Sequence, residues 1–471
     1  MASTINGMSA VELAQAFEAR RLSPVEVLDA SLDRLAAVDP ALNAFCLVDE
    51  TTGRHMAKAA EARWHRGEPL SPLDGVPIAL KDTAHAIGWP TRIGSRTTSI
   101  DPSTVDAPGI ARLREAGAVF FGKTTTPEFG WKGLTHGPLT GISRNPWDAS
   151  KTPGGSSGGA AIAVATGIVP LATGGDGGGS LRIPASFSGV YTVKPSFGLV
   201  PSFAANLGSL PVFGGLSRSV MDSAVFLRII SRPDPRDAFA IPFRDIDYTA
   251  SLAGGVAGLR VAYSHDLGFP IVHPEVAAAV AAGVEHLSRA GARVEEVSLD
   301  LSGARRVIEI IWQAGFSGML RHLSEAARQL LEPDLLDVVL SARALTAEDL
   351  QWAHDECRAL GTRMQALHQD YDLLVTPTIP IPAFEVGINT PDPAAYPHWF
   401  DWTPFTWPFN LTGQPAASIP CGFTTGGLPI GLQIVAAKFR EDLIFRASQA
   451  VEEGQAKGPL ATITKSYGGS P

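Results

Sequence analysis

The sequence predicts an α/β fold in which a mixed central β-sheet is covered by helices on both faces. Short apolar runs of strand length, such as residues 75–80 and 118–121, alternate along the chain with amphipathic stretches of helix length. No repeat of fixed period and no low-complexity linker interrupts the 471 residues. We therefore predict one domain over residues 1–471, although length alone would permit about three.

The first part of the chain, residues 1–68, is expected to be helical. Apolar residues recur at spacings of three and four between Ser9 and Ala37, and Ser23 offers an N-cap followed by proline. A further helix is predicted over 50–66, where a glycine follows. The chain therefore opens with helices before its first buried strand.

The middle part, residues 69–230, combines predicted strands with two unusual loops. A buried strand over 75–80 delivers Lys81 at its end, and a helix over 106–117 leads into a strand over 118–121. Glycine, serine and threonine then crowd into loops 152–159 and 174–180, which a helix over 160–166 and a strand over 168–172 connect. Because this path can bring both loops together, we expect the active site here.

The last part, residues 231–471, is expected to complete the sheet and the substrate pocket. A proline-rich and charged stretch over 231–245 suits a surface connection. The predicted elements are a helix over 274–290 flanked by strands 259–263 and 294–297, then strands 373–376 and 431–435, and a closing helix over 441–452.

Composition excludes several classes of function. Hydrophobic residues make up 45% and charged residues 18%, as in ordinary globular proteins. The net charge of -9, without a basic cluster, argues against nucleic-acid binding. No apolar run reaches the length of a membrane span, and the start lacks the pattern of a signal peptide. Three scattered cysteines favour a reducing compartment without a zinc site, so we expect a cytoplasmic protein that uses no membrane.

The glycine-rich loops admit two general interpretations. A phosphate cradle would use backbone amides of such a loop, but neither loop has the Gly-Lys-Ser/Thr ending of a P-loop. The run 154–158 also satisfies the Gly-x-Ser-x-Gly pattern of an α/β-hydrolase elbow, with Ser156 as nucleophile of an esterase. That elbow requires an apolar strand before the serine, and this chain has a polar turn over 144–151 instead.

Both loops taken together with the strand-end lysine resemble the amidase-signature family of serine hydrolases. The resemblance covers mainly residues 75–195 and rests on three runs: Gly-Val-Pro-Ile-Ala-Leu-Lys-Asp over 75–82, Pro-Gly-Gly-Ser-Ser-Gly-Gly over 153–159, and Asp-Gly-Gly-Gly-Ser-Leu-Arg-Ile-Pro-Ala over 176–185. The family separates its two serines by 24 positions, as Ser156 and Ser180 are separated here (180 minus 156). The combination is far more specific than any single motif.

Carried over to this chain, the resemblance implies that Ser180 is the nucleophile, Ser156 a bridging serine after a cis peptide bond, and Lys81 the base. A lysine buried at the end of an apolar strand loses solvation, which favours the neutral amine that can accept a proton. A hydroxyl suits the relay because it donates and accepts at once. Gly177, Gly178 and Gly179 would offer backbone N–H groups to the oxyanion.

Other residues are expected to support this site. Ser157, Asp176 and Arg182 would hold the loops by hydrogen bonds. The aromatic stretch over 398–409 holds three of the nine tryptophans, and we expect its side chains to wall an apolar pocket or to pack in the core. The candidate pocket residues are Trp131, His136, Trp402, Phe405 and Trp407, whereas Trp312 has the helical neighbours of a core residue.

The predicted function is hydrolysis of a carbon–nitrogen bond in a small-molecule amide through a seryl acyl-enzyme, without metal or cofactor. Leaving groups range over amides, anilides, carbamates, hydrazides and esters in the family, and the sequence does not choose among them. The alternative is the A-type subunit of a Glu-tRNA amidotransferase, in which glutamine often stands at the position of Ile183. Glycine at positions 175 and 177 departs from the family's more usual threonine, serine or isoleucine. The sequence leaves open whether the chain forms a homodimer.

Overall fold

The computed structural model describes residues 5–203, 210–269 and 272–454. In this part of the chain thirteen strands are present: β1 (Phe45–Val48), β2 (Pro77–Lys81), β3 (Val119–Thr124), β4 (His136–Gly137), β5 (Gly141–Ile142), β6 (Leu171–Asp176), β7 (Tyr191–Lys194), β8 (Val212–Ser217), β9 (Arg260–Tyr263), β10 (Arg293–Glu296), β11 (Leu373–Pro377), β12 (Ala416–Phe423) and β13 (Pro429–Ala436).

Eleven of these strands form one mixed sheet, and β4 and β5 form a separate hairpin. The order in the sheet is β1-β3-β2-β6-β8-β7-β12-β13-β11-β9-β10. Strands β3, β2 and β6 are parallel neighbours, whereas β6, β8, β7, β12, β13 and β11 pair in antiparallel fashion. The predicted α/β class with a mixed central sheet is therefore confirmed.

Fifteen α-helices flank this sheet in the described ranges: α1 (Ala10–Glu18), α2 (Pro24–Leu42), α3 (Glu50–Arg66), α4 (Pro108–Glu115), α5 (Gly158–Ala165), α6 (Arg182–Ser188), α7 (Val220–Ile230), α8 (Tyr248–Leu252), α9 (Pro274–Arg289), α10 (Arg305–Leu320), α11 (Glu325–Arg328), α12 (Pro333–Ser341), α13 (Ala347–Asp370), α14 (Pro408–Leu411) and α15 (Glu441–Gly454). None of them is long and apolar enough to cross a membrane.

Local sequence explains the boundaries of the first helices. Ser9 and Ser23 each accept a hydrogen bond from the backbone three residues on, and a glutamate at that position returns the bond, so α1 and α2 begin with capping boxes. Helix α3 ends at Gly67, whose φ of 73° is the left-handed conformation that glycine adopts most easily. The helices predicted over 9–37 and 50–66 are thus present.

Both faces of the sheet are packed against helices. The evidence is that buried side chains along a single strand alternate between separate apolar clusters. In β11, Leu373 and Val375 belong to one cluster and Leu374 to another. In β3, Phe120 belongs to the first cluster, whereas its neighbour Phe121 lies in a third. Successive residues of a strand point to opposite faces, so this alternation places packed cores on the two sides.

Several strands differ from the sequence prediction. The predicted strand over 168–172 begins only at Leu171, because Ile168 and Val169 close the turn after α5 with bonds to Ala163. The sequence does not predict strands β1, β4, β5, β7, β8 and β12. Strand β8 carries two consecutive glycines, Gly214 and Gly215, and β12 carries a proline, features that single-sequence propensity assigns to turns.

Candidate active site

Lys81 lies at the carboxyl end of β2, beside the carboxyl end of the parallel strand β6. The parallel register sets Ala79 opposite Ala172, which brings the end of β2 next to the glycine-rich loop that follows β6. The backbone N–H of Lys81 donates to Thr173 Oγ1 at 2.9 Å, which fixes the two strand ends together. The side chain of Lys81 is 3% exposed, so its amine works in a nearly dry environment.

The Lys81 amine is bound by two adjacent serines. Its Nζ lies 2.7 Å from Ser156 Oγ and 2.9 Å from Ser157 Oγ. The peptide bond between Gly155 and Ser156 is cis. Thr135 holds this loop, because its hydroxyl donates to the carbonyl of Gly154 at 2.8 Å and accepts from Gly158 N–H at 3.1 Å.

Burial changes the proton affinity of Lys81. Desolvation disfavours the ammonium form and lowers the pKa of Lys81 to about 7, although the negative charge of Asp176 opposes this shift. A substantial fraction of the side chain is therefore neutral near neutral pH. A neutral amine within hydrogen-bond distance of a serine hydroxyl has the geometry of a general base.

Ser180 follows β6 and borders the same cavity as Lys81 and Ser156. It is 4% exposed, and its carbonyl oxygen accepts from Ser157 N–H at 3.2 Å. In the described part of the chain no hydrogen bond joins the Ser156 and Ser180 hydroxyls. Contacts between a nucleophile and its base are often looser before substrate binds.

A buried ion pair holds the loop that carries Ser180. Asp176 and Arg182 are both fully buried and make two hydrogen bonds to each other, at 2.9 and 3.0 Å. Arg182 also donates to Thr406 O, Gln433 Oε1 and Asn410 Oδ1. Burial alone would raise the pKa of Asp176, but the charge and hydrogen bonds of Arg182 lower it to about 2. The carboxylate is therefore ionised and fully engaged in fixing the loop.

The three glycines before Ser180 occupy different environments. Gly179 N–H donates to Asp176 Oδ1 at 2.7 Å, so this amide is committed to the loop and is not aimed at a substrate oxygen. This corrects the expectation for Gly179. Among the described residues, the N–H groups of Gly177, Gly178 and Ser180 have no hydrogen-bond partner, and Gly177 and Ser180 line the cavity. Thr406 Oγ1 donates to the carbonyl of Gly178 at 2.8 Å, which fixes the orientation of that peptide.

The cavity around these groups has a volume of about 450 Å³ and largely apolar walls. The aromatic and thioether side chains that line it are Phe129, Phe203, Phe213, Trp312 and Met319. Sequence reasoning missed four of them because they come from four separate segments. Trp312, which the sequence favoured as a core residue, is 3% exposed and lies on this wall.

The predicted pocket residues lie elsewhere. Trp402, Phe405 and Trp407 are fully buried in an apolar cluster, and they do not line the cavity around Ser180 among the described residues. Phe187 stacks on Trp402 with ring centroids 6.0 Å apart. These three side chains therefore pack in the core, and the expectation that they wall the pocket is corrected.

In the described part of the chain, Trp131 and His136 do not line the cavity around Ser180 either. Both belong to a buried polar cluster. Lys132 Nζ lies 2.7 Å from His136 Nε2 and also binds Glu332. Trp131 Nε1 donates to the other oxygen of Glu332 at 2.8 Å. Burial and the nearby Lys132 charge lower the pKa of His136 to about 3, so this imidazole is neutral.

Two residues on the cavity wall adopt a backbone conformation that is unfavourable for their side chains. Ile93 has a φ of 50° and Phe129 a φ of 52°, and Phe129 N–H donates to the carbonyl of Ile93 at 2.7 Å. Positive φ is rare for bulky residues and especially for β-branched ones. Such strain is concentrated at functional sites, which agrees with the position of both residues beside Ser156 and Lys81.

Within residues 5–203, 210–269 and 272–454, no group of three or more His, Cys, Asp or Glu side chains is placed to bind a metal ion. The residues that gather around Ser180 are instead hydroxyl groups, one amine and backbone amides. Thr406 and Asn410 anchor the loop that carries Ser180, and they stand in and directly after the aromatic stretch that the sequence singled out for another reason.

Comparison with known proteins gives a consistent result. The family model described as Amidase matches residues 26–445. The acylamidase of Rhodococcus erythropolis is 34% identical over 470 residues, which cover 98% of each chain. The A-type subunit of the glutamyl-tRNA(Gln) amidotransferase of Roseiflexus castenholzii (strain DSM 13941 / HLO8) is 35% identical over 457 residues, with 92% of each chain covered. The crystal structure of a bacterial aryl acylamidase of the amidase signature enzymes superposes with a TM-score of 0.91 at 26% identity, covering 98% of this chain and 99% of the other.

Proposed function

Because this chain belongs to the amidase family, we propose that it hydrolyses a small-molecule amide through an acyl-enzyme formed on Ser180. The enzyme is a hydrolase that acts on carbon–nitrogen bonds other than peptide bonds. The observation that carries the proposal is the 2.7 Å contact between the buried Lys81 amine and Ser156, beside Ser180 in one cavity.

The first half of the reaction forms the acyl-enzyme. Neutral Lys81 accepts the proton of Ser156, while Ser156 accepts the proton of Ser180. The Ser180 oxygen attacks the amide carbon, and the carbonyl oxygen becomes an oxyanion next to the N–H groups of Gly177, Gly178 and Ser180. The relay then delivers a proton to the amide nitrogen, the carbon–nitrogen bond breaks, and ammonia or an amine leaves.

The second half releases the acid. A water molecule takes the place of the amine, and the neutral relay accepts one of its protons as the oxygen attacks the acyl carbon. The ester bond to Ser180 breaks, and the serine recovers its proton from the relay. The net reaction consumes one water and uses only groups of this chain.

The walls of the cavity favour an apolar or aromatic substituent on the amide. Aromatic rings from separate segments of the chain face a space of about 450 Å³, which is within the range of small-molecule sites. Acylamidase and aryl acylamidase relatives support the same choice. We therefore place anilides and other apolar amides first in the substrate panel.

The experiment that tests the proposal compares Ser180→Ala with Ser202→Ala. Ser202 also lines the cavity but has no place in the relay, so it is a matched control. Hydrolysis of anilides, primary amides and carbamates is expected in the wild type and in Ser202→Ala, and to be lost in Ser180→Ala. Retained turnover in Ser180→Ala, or a fluorophosphonate adduct on Ser156, would contradict the proposal and favour the α/β-hydrolase-like mechanism.

Relatedness to the A-type subunits of amidotransferases makes that role the second candidate. The two functions differ in what the isolated chain does. A stand-alone amidase hydrolyses anilides without a partner, whereas a protein that acts on an RNA-bound substrate within an assembly depends on the other members of that assembly. Turnover by the purified chain that does not change on addition of tRNA would favour the amidase.

The cysteines support a reducing location, and we propose the cytoplasm. Cys46, Cys357 and Cys421 all lie in the described part of the chain, and all three are free thiols. Burial raises the pKa of the Cys357 thiol to about 11, which makes it a poor nucleophile at neutral pH. Fractionation of the native host, with activity followed through the fractions, tests the location.

A further inference from the structure

A second cavity lies directly behind one wall of the catalytic cavity. It has a volume of about 300 Å³, and Trp312 lines both spaces. Charged side chains line part of it, from Arg305, Glu309, Asp334 and Asp337, and its other aromatic walls are Trp131, Trp399 and Phe400. None of these three lines the catalytic cavity in the described part of the chain. The indole of Trp312 therefore stands between the catalytic cavity and a side chamber that is aromatic on the side of the indole.

Trp312 is held in this position from several sides. Its Nε1 donates to the carbonyl of Trp131 at 3.0 Å. Its ring meets the rings of Phe316, Trp399 and Phe400 with centroids 5.2 to 5.6 Å apart. Edge-on aromatic contacts of this kind favour one orientation of the indole. The partition is thus a packed side chain of α10 and not a surface residue.

The same indole lies against the proposed oxyanion loop. A Cβ placed on Gly177 would be 3.5 Å from Cζ3 of Trp312, and one placed on Gly178 would be 3.7 Å from the same atom. These are ordinary contact distances for a Cβ, but a threonine or isoleucine at position 177 carries atoms beyond the Cβ that would enter the space of the ring. The absence of a side chain at position 177 therefore leaves the space that the indole of Trp312 occupies.

We propose that Trp312 determines substrate specificity by closing a side chamber that can hold an apolar extension of the amide. This inference rests on the proposed amidase function. With the indole in place, a substrate group that extends past the oxyanion loop meets the ring of Trp312 and cannot enter the chamber. With a small residue at 312, the two cavities join, and a longer apolar group gains aromatic surface to bury.

The test is a chain-length profile of kcat/KM. One series extends the acyl group of a nitroanilide from acetyl to decanoyl, and a second extends apolar para substituents on acetanilide. Trp312→Ala is expected to raise the ratio of long to short substrates by about tenfold in one of the two series, since each newly buried methylene strengthens binding. Trp312→Phe keeps a ring in the partition and is expected to keep the wild-type ratio.

A second substitution separates the chamber from a general effect on the enzyme. Val338 lines the chamber and does not line the catalytic cavity. Adding Val338→Phe to Trp312→Ala is expected to fill the chamber and to return the ratio to that of the wild type. If Trp312→Ala does not fold, Trp312→Leu shortens the side chain while keeping apolar contact, and the same profile applies.

The outcomes are distinct. A wild type that hydrolyses no amide and whose Ser180 is not labelled by a fluorophosphonate overturns the proposed function itself. A wild type that is active, with a folded Trp312→Ala variant whose ratio is unchanged in both series, overturns the partition alone. A gain that is equal for short and long substrates, or that Val338→Phe does not reverse, also overturns it.

Discussion

A single lysine shows how burial creates the proposed chemistry. Lys81 is a residue type that water keeps protonated, yet here its amine is surrounded by strand ends and glycine-rich loops and its pKa falls to about 7. The negative charge of Asp176 would favour the ammonium, but Asp176 is already paired with Arg182. Desolvation therefore prevails, and a neutral amine is available near neutral pH for the proposed role of base without a histidine.

The pH dependence of activity follows from this shift. Below pH 7 Lys81 holds its proton and cannot accept another, so kcat/KM is expected to rise with pH through an inflection near 7 and then to level off. Lys81→Met should reduce kcat/KM by about two to four orders of magnitude. The measurement is a pH profile with an anilide substrate.

Lys194 provides a matched control for this profile, because burial also lowers its pKa to about 7. Its amine donates to Pro195 O at 3.1 Å, and Lys194 does not line the catalytic cavity in the described ranges. Lys194→Met is therefore expected to keep the inflection. Loss of the inflection in this variant, or its persistence in Lys81→Met, would contradict the assignment of the base.

The Asp176–Arg182 pair makes a prediction on stability. Asp176→Asn removes the charge that compensates a guanidinium with no solvent exposure, so we expect the free energy of unfolding to fall by about 3–5 kcal/mol. Glu68→Gln breaks an ion pair with Arg66 whose side chains are 57% and 66% exposed, and no measurable change is expected. Denaturant unfolding of both variants checks this contrast. Equal losses of unfolding free energy would show that the burial of an ion pair does not determine the cost of breaking it.

Among single residues, the sequence predicts those that stand in short motifs with a characteristic spacing. Lys81, Ser156 and Ser180 stand in runs that identify them, and the structure places all three on one cavity. The pocket wall could not be predicted in the same way. Phe129, Phe213 and Trp312 come from separate segments, and whether an aromatic side chain faces a cavity or the core depends on tertiary packing that local sequence does not contain.

Single elements show the same distinction between local and tertiary control. Capping boxes and a terminal glycine determine where α1, α2 and α3 begin or end, and these signals lie within a few residues of the boundary. Strand β8, by contrast, contains Gly214 and Gly215, which local propensity disfavours. A Cβ on Gly214 would lie 2.7 Å from Leu181 Cδ1 and 3.1 Å from the carbonyl oxygen of Val193, so close packing with other elements favours glycine there over the residues that propensity prefers.

Two glycines inside helices are expected to respond in opposite ways to alanine. Gly361 in α13 has open space where a Cβ would stand, so Gly361→Ala should stabilise the protein by about 0.5–1 kcal/mol through helix propensity. In α3, a Cβ on Gly53 would lie 2.7 Å from the Cβ of Phe121 in the adjacent strand. Gly53→Ala should therefore destabilise by about 1–3 kcal/mol despite the better propensity. Thermal unfolding checks both signs, and stabilisation by Gly53→Ala would show that α3 can shift away from β3.

On the scale of the molecule, the sheet is assembled from two continuous blocks. Residues 1–230 supply the six neighbouring strands from β1 to β7, and residues 231–454 supply the five from β12 to β10. The blocks meet where β7 pairs with β12, with Ala416 opposite Lys194. Arg182 crosses the same boundary, since its guanidinium binds Thr406 and Gln433. The loop that carries Ser180 in the first block is thus held by residues of the second.

This arrangement predicts that neither block folds alone, as expected for one domain over residues 1–471. A chain of residues 1–230 would expose β7 as an unpaired edge and would leave Arg182 without its partners at Thr406, Asn410 and Gln433. The full chain is expected to unfold in one cooperative transition by circular dichroism, and residues 1–230 and 231–471 to show none when each is purified separately. A cooperative transition in residues 1–230 alone would mean that the first block is an independent domain, and that the contacts to Arg182 adjust the loop that carries Ser180 without being needed to form it.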